Sequence, residues 1–158
     1  MFGCDLGGLF SMFEGGRSHT MKKQINSLRG LDELIAEKVF DWSDFWHGPY
    51  NLMGYPPNER AMGIDAERCE VWEYSADLNT AWCLVEEMRR RGWFSQLTDL
   101  SLGKGYERYS VIFGHQSISP IVIYEASTLP IAICLAALKA EGIEVDLQVK
   151  GEGDRTTP

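Results

Sequence analysis

"STLPIAICLAALKAEG", residues 127–142, decides how the rest of the chain is read. Three readings compete for it: a membrane span, a cofactor-binding helix, and a structural helix buried on all sides. The apolar run from Leu129 to Leu138 is shorter than the roughly 18 apolar residues that a span requires. Ser127 stands where an N-cap is needed. Pro130 lies in the first turn, where a missing N–H is harmless, and Gly142 supplies the stop. Ile131, Ile133, Cys134, Leu135 and Leu138 leave little polar surface, which is the pattern of a core helix. No predicted element brings a histidine to Cys134, so its thiol reads as packing and not as a nucleophile.

Two further helices are expected upstream. "YSADLNTAWCLVEEMRRRGW" (74–93) has Ser75 as cap, Asp77 at the positive end, and a stripe of Leu78, Ala81, Trp82, Val85 and Met88 facing the core. Arg89, Arg90 and Arg91 fill the last turn, Gly92 ends it, and Glu86–Arg90 and Glu87–Arg91 are spaced for pairing. The earlier helix runs from Leu28 to Phe40 behind Ser27. Leu28, Leu31, Leu34, Ile35 and Val39 form its inner face, with Asp32, Glu33, Glu37 and Lys38 largely off it.

The strand signals follow residue 93. "LTDLSL" (97–102) and "IEVDLQV" (143–149) alternate, as strands with one wet face do. "RYSVIFG" (108–114) and "PIVIYE" (120–125) become continuously apolar, the mark of burial on both faces. Gly103–Gly105 is turn chemistry. These patterns suggest two central strands flanked by less buried ones, with helices covering both faces. Residues 1–26 read as a flexible N-terminal extension, 27–150 as the domain, and 151–158 as a disordered tail. Met21 opens "MKKQINSLRGLDEL", itself a plausible protein start.

The stretches "LRGLDELIAEKVFDW", "YSADLNTAWCLVEEMRRRGW" and "EASTLPIAICLAALKAEG" together resemble the phage ABA sandwich domain, a family of small phage and prophage proteins. Its pattern runs "L-D-x-L-I-A-E-K-V-x-x-W", then "Y-S-x-D-x-x-A-A-W", then "A-x-T-x-P-x-A-I-C-x-A-A-L". Here these fall at Leu31–Trp42, Tyr74–Trp82 and Ala126–Leu138, and the likeness spans residues 27–142. The resemblance implies an α/β/α layered sandwich, in agreement with the strand patterns, and expression in a bacterial host; the expected fold is α+β, a three-layer α/β/α sandwich with a mainly antiparallel sheet of three to four strands and helices on both faces. It brings no agreed catalytic residues, so none is carried over.

Composition narrows the function. With 15 basic and 23 acidic residues the formal charge is −8, which disfavours general nucleic-acid binding. A hydrophobic fraction of 44% and five tryptophans speak for a folded core. Cys4, Cys69, Cys83 and Cys134 are scattered without a CxxC, in keeping with a reduced, cytoplasmic setting; Cys83 and Cys134 fall in apolar helical patterns. Residues 1–20 do not read as a signal peptide.

Residues 43–73 show no clear period. Pro49, Pro56 and Pro57 interrupt regular ladders, and long loops of this kind are usually functional or disordered. Trp46, Tyr50 and Tyr55, with His47 and Arg60, are candidates for stacking on a flat ligand, worth about 1–3 kcal/mol per base. The competing reading makes the rings a cover for the core edge or a subunit interface. Lys104 and Arg108 beside the hairpin glycines are candidates for holding phosphate, or simply part of an ordinary turn; no Walker pattern accompanies them. His19, His47, His115 and Cys69 lack zinc spacing, so neither metal nor cofactor is expected. Asp41, Asp44, Asp65 and Glu67 read as solvated acids before they read as an acid/base pair.

Three functions stay open at this level. The first is a non-enzymatic binding protein of phage or prophage origin, acting in the host cytoplasm on a small ligand or host protein, ligand sequestration included. The second is an enzyme acting on a nucleotide-like metabolite. The third is a structural or assembly factor that forms homo-oligomers. No membrane association is expected.

Overall fold

The structure, a computed structural model, describes residues 20–57, 68–100, 109–115 and 118–148. In chain order the elements are β1 (Met21–Ile25), α1 (Leu28–Lys38), β2 (Ser43–His47), β3 (Leu52–Tyr55), β4 (Cys69–Glu70), α2 (Leu78–Arg90), β5 (Trp93–Asp99), β6 (Tyr109–His115), β7 (Ile118–Ala126), α3 (Leu129–Ala140) and β8 (Ile143–Leu147). The fold is α+β, and its longest sheet is antiparallel. Among the described residues no helix is long and apolar enough to cross a membrane.

The core is built around α3. Every position from Ala132 to Leu138 is buried, because the helix packs against α2 and α1 as well as β6, β7 and β8. Burial of Ile133, Leu135 and Leu138 stabilises the fold by about 1.5–3 kcal/mol each. Ala132, Ala136 and Ala137 let the neighbouring elements approach closely. The cap lies one residue later than the sequence indicated: Thr128 is the N-cap and makes no side-chain cap bond, with Pro130 just inside. Gly142 follows at φ +80°, a left-handed stop that favours glycine.

The other two helices also form as expected, with corrections at their edges. Ser27 caps α1 by accepting from Gly30 N–H, and the helix ends at Lys38, short of Phe40. Asp32 is buried, not off the inner face. It lies four residues after Leu28 and three before Ile35, so the helical period puts it between them. Asp77, not Ser75, caps α2, its carboxylate accepting from Asn79 and Thr80 N–H. Leu78, Trp82 and Cys83 are exposed, so the inner stripe of α2 is narrower than the sequence implied: Ala81, Leu84, Val85 and Met88. Trp82 instead carries Arg89 over its ring, 5.4 Å away. Glu87 accepts from both Arg90 and Arg91, so Arg90 pairs three residues back and not with Glu86.

The strands differ more from expectation. Among the described residues they fall into three sheets: β1–β8, β2–β3–β4 and β5–β6–β7. Met21–Ile25, inside the stretch expected to be a flexible extension, form a strand of the fold. β1 pairs in parallel with β8, from Met21 opposite Ile143 to Ile25 opposite Leu147. Residues 43–73, expected to lack regular structure, contain the short antiparallel β2–β3–β4 sheet. β5 starts at Trp93, earlier than "LTDLSL". Of the two strands expected at the centre, β6 is central, whereas β7 lies at the edge of its sheet among the described residues.

The pairing of Gln96 with Ile112 and of Ile112 with Ile123 puts these residues on one face, and the strand period adds Phe94 and Ile121. That face is open: Phe94, Ile121 and Ile123 are 52%, 58% and 50% exposed. α3 packs on β6 and β7 from the opposite side, where Val111, Phe113 and Val122 are buried. The continuous apolar run in β7 therefore reflects an uncovered apolar face and not burial on both sides. Phe94 lies over Gly114 on the neighbouring strand, and a Cβ there would collide with the ring.

Candidate functional site

A cleft of about 250 Å³ opens where α1, β3 and β4 meet the segment entering α2. Leu28, Leu52, Val71 and Ala76 supply its apolar wall. Its polar lining comes from Arg29, Asp32, Asn51, Glu70, Glu73 and Ser75, with Tyr50 at the mouth. The geometry follows from the helix. Arg29 and Asp32 are three residues apart on one side of α1, so both reach the cleft.

Asp32 is the centre of the site. It is only 6% exposed, and its Oδ1 accepts from the Ser75 backbone N–H at 2.7 Å. Burial pushes its carboxyl up to about 6, against the hydrogen bond from Ser75 that lowers it. Glu73 adds to the rise, and Arg29 opposes it. The Ser75 hydroxyl beside this carboxyl also lowers its pKa, and the hydroxyl oxygen is buried. Arg29 is already committed to backbone carbonyls, donating to Tyr50 O at 2.7 Å and to Gly48 O at 3.4 Å. It thereby ties the β2–β3 connection to α1.

Beneath the cleft, Tyr74 is fully buried and stacks on Phe40, with ring centroids 5.2 Å apart and 12° between planes. Burial, with nearby Cys83, Asp32 and Cys134, raises its hydroxyl pKa. Cys134 sits behind it. Its thiol is raised by complete burial and then by Asp32, which leaves it an inert packing group.

The residues singled out from the sequence are not gathered into one site. Tyr50 alone lines the cleft. Trp46 is half exposed on β2 and is not among the lining residues. His47 faces Glu33 at 3.3 Å. Tyr55 carries Arg68 over its ring at 5.5 Å. Arg60, Lys104 and Arg108 lie outside the described residues, as do His19, Cys4, Asp65, Glu67, the Gly103–Gly105 turn and the 151–158 tail. Sequence reasoning missed Arg29, Asp32, Glu73 and Ser75. The available signal was an acid on the inner period of an amphipathic helix.

Among the described residues no group of three or more His, Cys, Asp or Glu side chains is placed to hold a metal ion. Asp32, Glu70 and Glu73 therefore line the cleft without converging on one point. A larger hollow, about 500 Å³, overlies β1 and β8. Its walls are side chains such as Lys22 and Glu144, already paired at 3.7 Å, and no buried polar group opens into it.

The family model of the phage ABA sandwich domain matches residues 33–138. No curated protein matches the chain. A crystal structure of a phage protein from Bacillus cereus is similar at 22% identity and a TM-score of 0.57, covering 78% of this chain and 95% of that one. At that identity the likeness speaks for the fold alone. The first two segments that carry the sequence resemblance meet at the cleft, one through Asp32 and the other through Ser75.

Proposed function

The chain belongs to the phage ABA sandwich domain family, and from that premise we propose that it is a non-enzymatic binding protein of a phage or prophage. In this reading it acts in the cytoplasm of the bacterial host, on a small ligand or a host protein, one polar end of which enters the Asp32 cleft. The observation that carries the reading is the buried Asp32 carboxyl in the lining of a cleft with apolar walls, held there by the Ser75 backbone N–H. Such groups are costly unless a structural or bound partner satisfies them.

Two features favour binding over catalysis. The Ser75 oxygen is closed off from solvent, so it is not presented to a substrate as a nucleophile. The cleft is also smaller than the roughly 300–1,000 Å³ of sites for drug-sized ligands. It suits one functional group of a ligand better than a whole nucleotide. Native mass spectrometry of the protein purified from phage-infected cells tests the reading. A retained mass that disappears in Asp32→Ala is expected. Absence of any retained mass, together with turnover of nucleotide-like metabolites, would favour an enzyme instead.

The open face of β5–β6–β7 favours a second reading, an assembly factor. Exposed Phe94, Ile121 and Ile123 form a contiguous apolar surface of the kind that marks interaction sites. Sedimentation of the parent and of Ile121→Lys/Ile123→Lys distinguishes the two. Assembly requires a parent oligomer that the double variant dissolves. A monomeric parent removes this reading.

A further inference from the structure

The open face of β5–β6–β7 exposes Phe94, Ile121 and Ile123 by about half each. We propose that the N-terminal segment of the same chain, residues 1–19, docks on this face and covers it. The proposal goes beyond the binding reading, because none of the three residues lines the Asp32 cleft. Three half-exposed side chains of roughly 200 Å² each leave an apolar patch of about 300 Å². A stable pair of copies hides about 800 Å² on each partner. The patch is therefore too small to hold a second copy by itself. It suits a short segment tethered to the same chain, which loses little translational freedom on docking.

The sequence of the segment supplies a matching surface. Phe2, Leu6, Leu9, Phe10 and Phe13 recur at i, i+4, i+7, i+8 and i+11, the spacing of one helical face. Gly3, Gly7 and Gly8 are poor helix formers, so docking on apolar surface, and not propensity, supplies the stability. The place where the segment joins the fold is the second observation. The Met21 N–H donates to Gly142 O at 3.1 Å, and the Gly142 N–H donates to Lys139 O at 3.0 Å. Lys139 Nζ donates in turn to Ile123 O at 3.5 Å. Met21 is thus two backbone hydrogen bonds and one lysine side chain away from a residue of the open face. Between Met21 and the apolar stripe stand residues 14–20, which carry no apolar side chain and reach about 23 Å when extended. β7 is the edge of its sheet among the described residues, so the segment can pass round it to the open side.

The test uses the full chain. Limited chymotrypsin digestion, followed by intact mass, reports cleavage after Phe10 and Phe13. These cuts should be about tenfold slower in the parent than in Ile121→Asp/Ile123→Asp, whose face no longer holds the segment. Ile121→Leu/Ile123→Leu should keep the protection. Phe10→Asp/Phe13→Asp tests the contact from the other side, changes no residue of the sheet, and serves if the aspartate face does not fold. It should raise the fluorescence of the apolar-surface dye ANS severalfold over the parent, with an unchanged circular dichroism spectrum of the sheet and helices. Equal cleavage rates in the parent and in a folded Ile121→Asp/Ile123→Asp overturn the proposal. So does equal dye fluorescence in the parent and Phe10→Asp/Phe13→Asp. A parent that sediments as an oligomer, and stays one in Phe10→Asp/Phe13→Asp, assigns the face to a second copy and overturns it as well. None of these outcomes touches the Asp32 cleft, whose ligand is read separately by native mass spectrometry.

Discussion

The backbone N–H of Ser75 donates to Oδ1 of Asp32 at 2.7 Å, joining residues 43 positions apart. It links α1 to the segment that enters α2, and it does so through a carboxyl whose pKa burial has raised from 3.8 to about 6. A folded pKa above the unfolded one means that the neutral acid favours folding. That contribution is fully present below about pH 4 and is lost as pH rises through about 6. The loss is at most roughly 3 kcal/mol, from two units at 1.36 kcal/mol each. Asn at position 32 keeps an acceptor and has no charge to desolvate. Asp32→Asn should therefore gain stability relative to the parent between pH 4 and pH 7. Urea unfolding across that range measures the gap, and a gap independent of pH would refute the coupling.

Cys134 lies at the centre of α3 with no exposed surface. Cys134→Asp would bury a carboxylate among apolar neighbours and should cost about 3–5 kcal/mol. Cys134→Ala removes one sulfur atom and should cost less than about 2 kcal/mol. Thermal melting of both variants settles the matter. An aspartate variant that melts with the parent would contradict the buried-helix description.

Arg91 fastens three parts of the chain. Its guanidinium donates to Glu87 within α2, to Glu141 after α3, and to the Val39 carbonyl at the end of α1. Arg91→Ala leaves a helix-end carbonyl and two carboxylates with fewer donors, and should cost about 1–3 kcal/mol. Arg91→Lys should recover only part of this, because a single ammonium cannot reproduce the planar fork. Equal stability of the Lys variant and the parent would show that charge alone suffices.

β1 tests where the folded domain begins. Its ladder with β8 runs from Met21 to Ile25, and Ile25 is buried. A chain starting at Asn26 exposes the β8 edge and should melt about 5 °C or more below one starting at Thr20. Identical melting temperatures would make the β1–β8 pair energetically idle.

The aromatic residues of the β2–β3 region should separate. Tyr50 is at the mouth of the cleft, and Trp46 is not among its lining residues. Both are exposed, so alanine at either should leave the melting temperature nearly unchanged. Tyr50→Ala should lose the mass retained in native mass spectrometry, and Trp46→Ala should keep it. Loss of binding in both would return the site to the aromatic platform read from the sequence.

Local chemistry made much of this protein legible before any coordinates. Leu129–Ala140 is apolar nearly all round, Pro130 can sit only in the first turn, and Gly142 can take a positive φ, so the core helix could be read from one stretch. The same holds for α1 and most of α2, because helical period and caps are properties of neighbouring residues. The strand partners were not legible. β1 is mostly polar and exposed, and becomes a strand only because β8 returns beside it more than a hundred residues later. The apolar run in β7 is the same in sequence whether its outer face is covered or open; only the placement of the helices decides which. The cleft was hidden for a related reason. Asp32 looks like one more acid on a charged helix, and Ser75 like a cap. Their meeting depends on how α1 packs against the entry to α2, and no local pattern carries that contact.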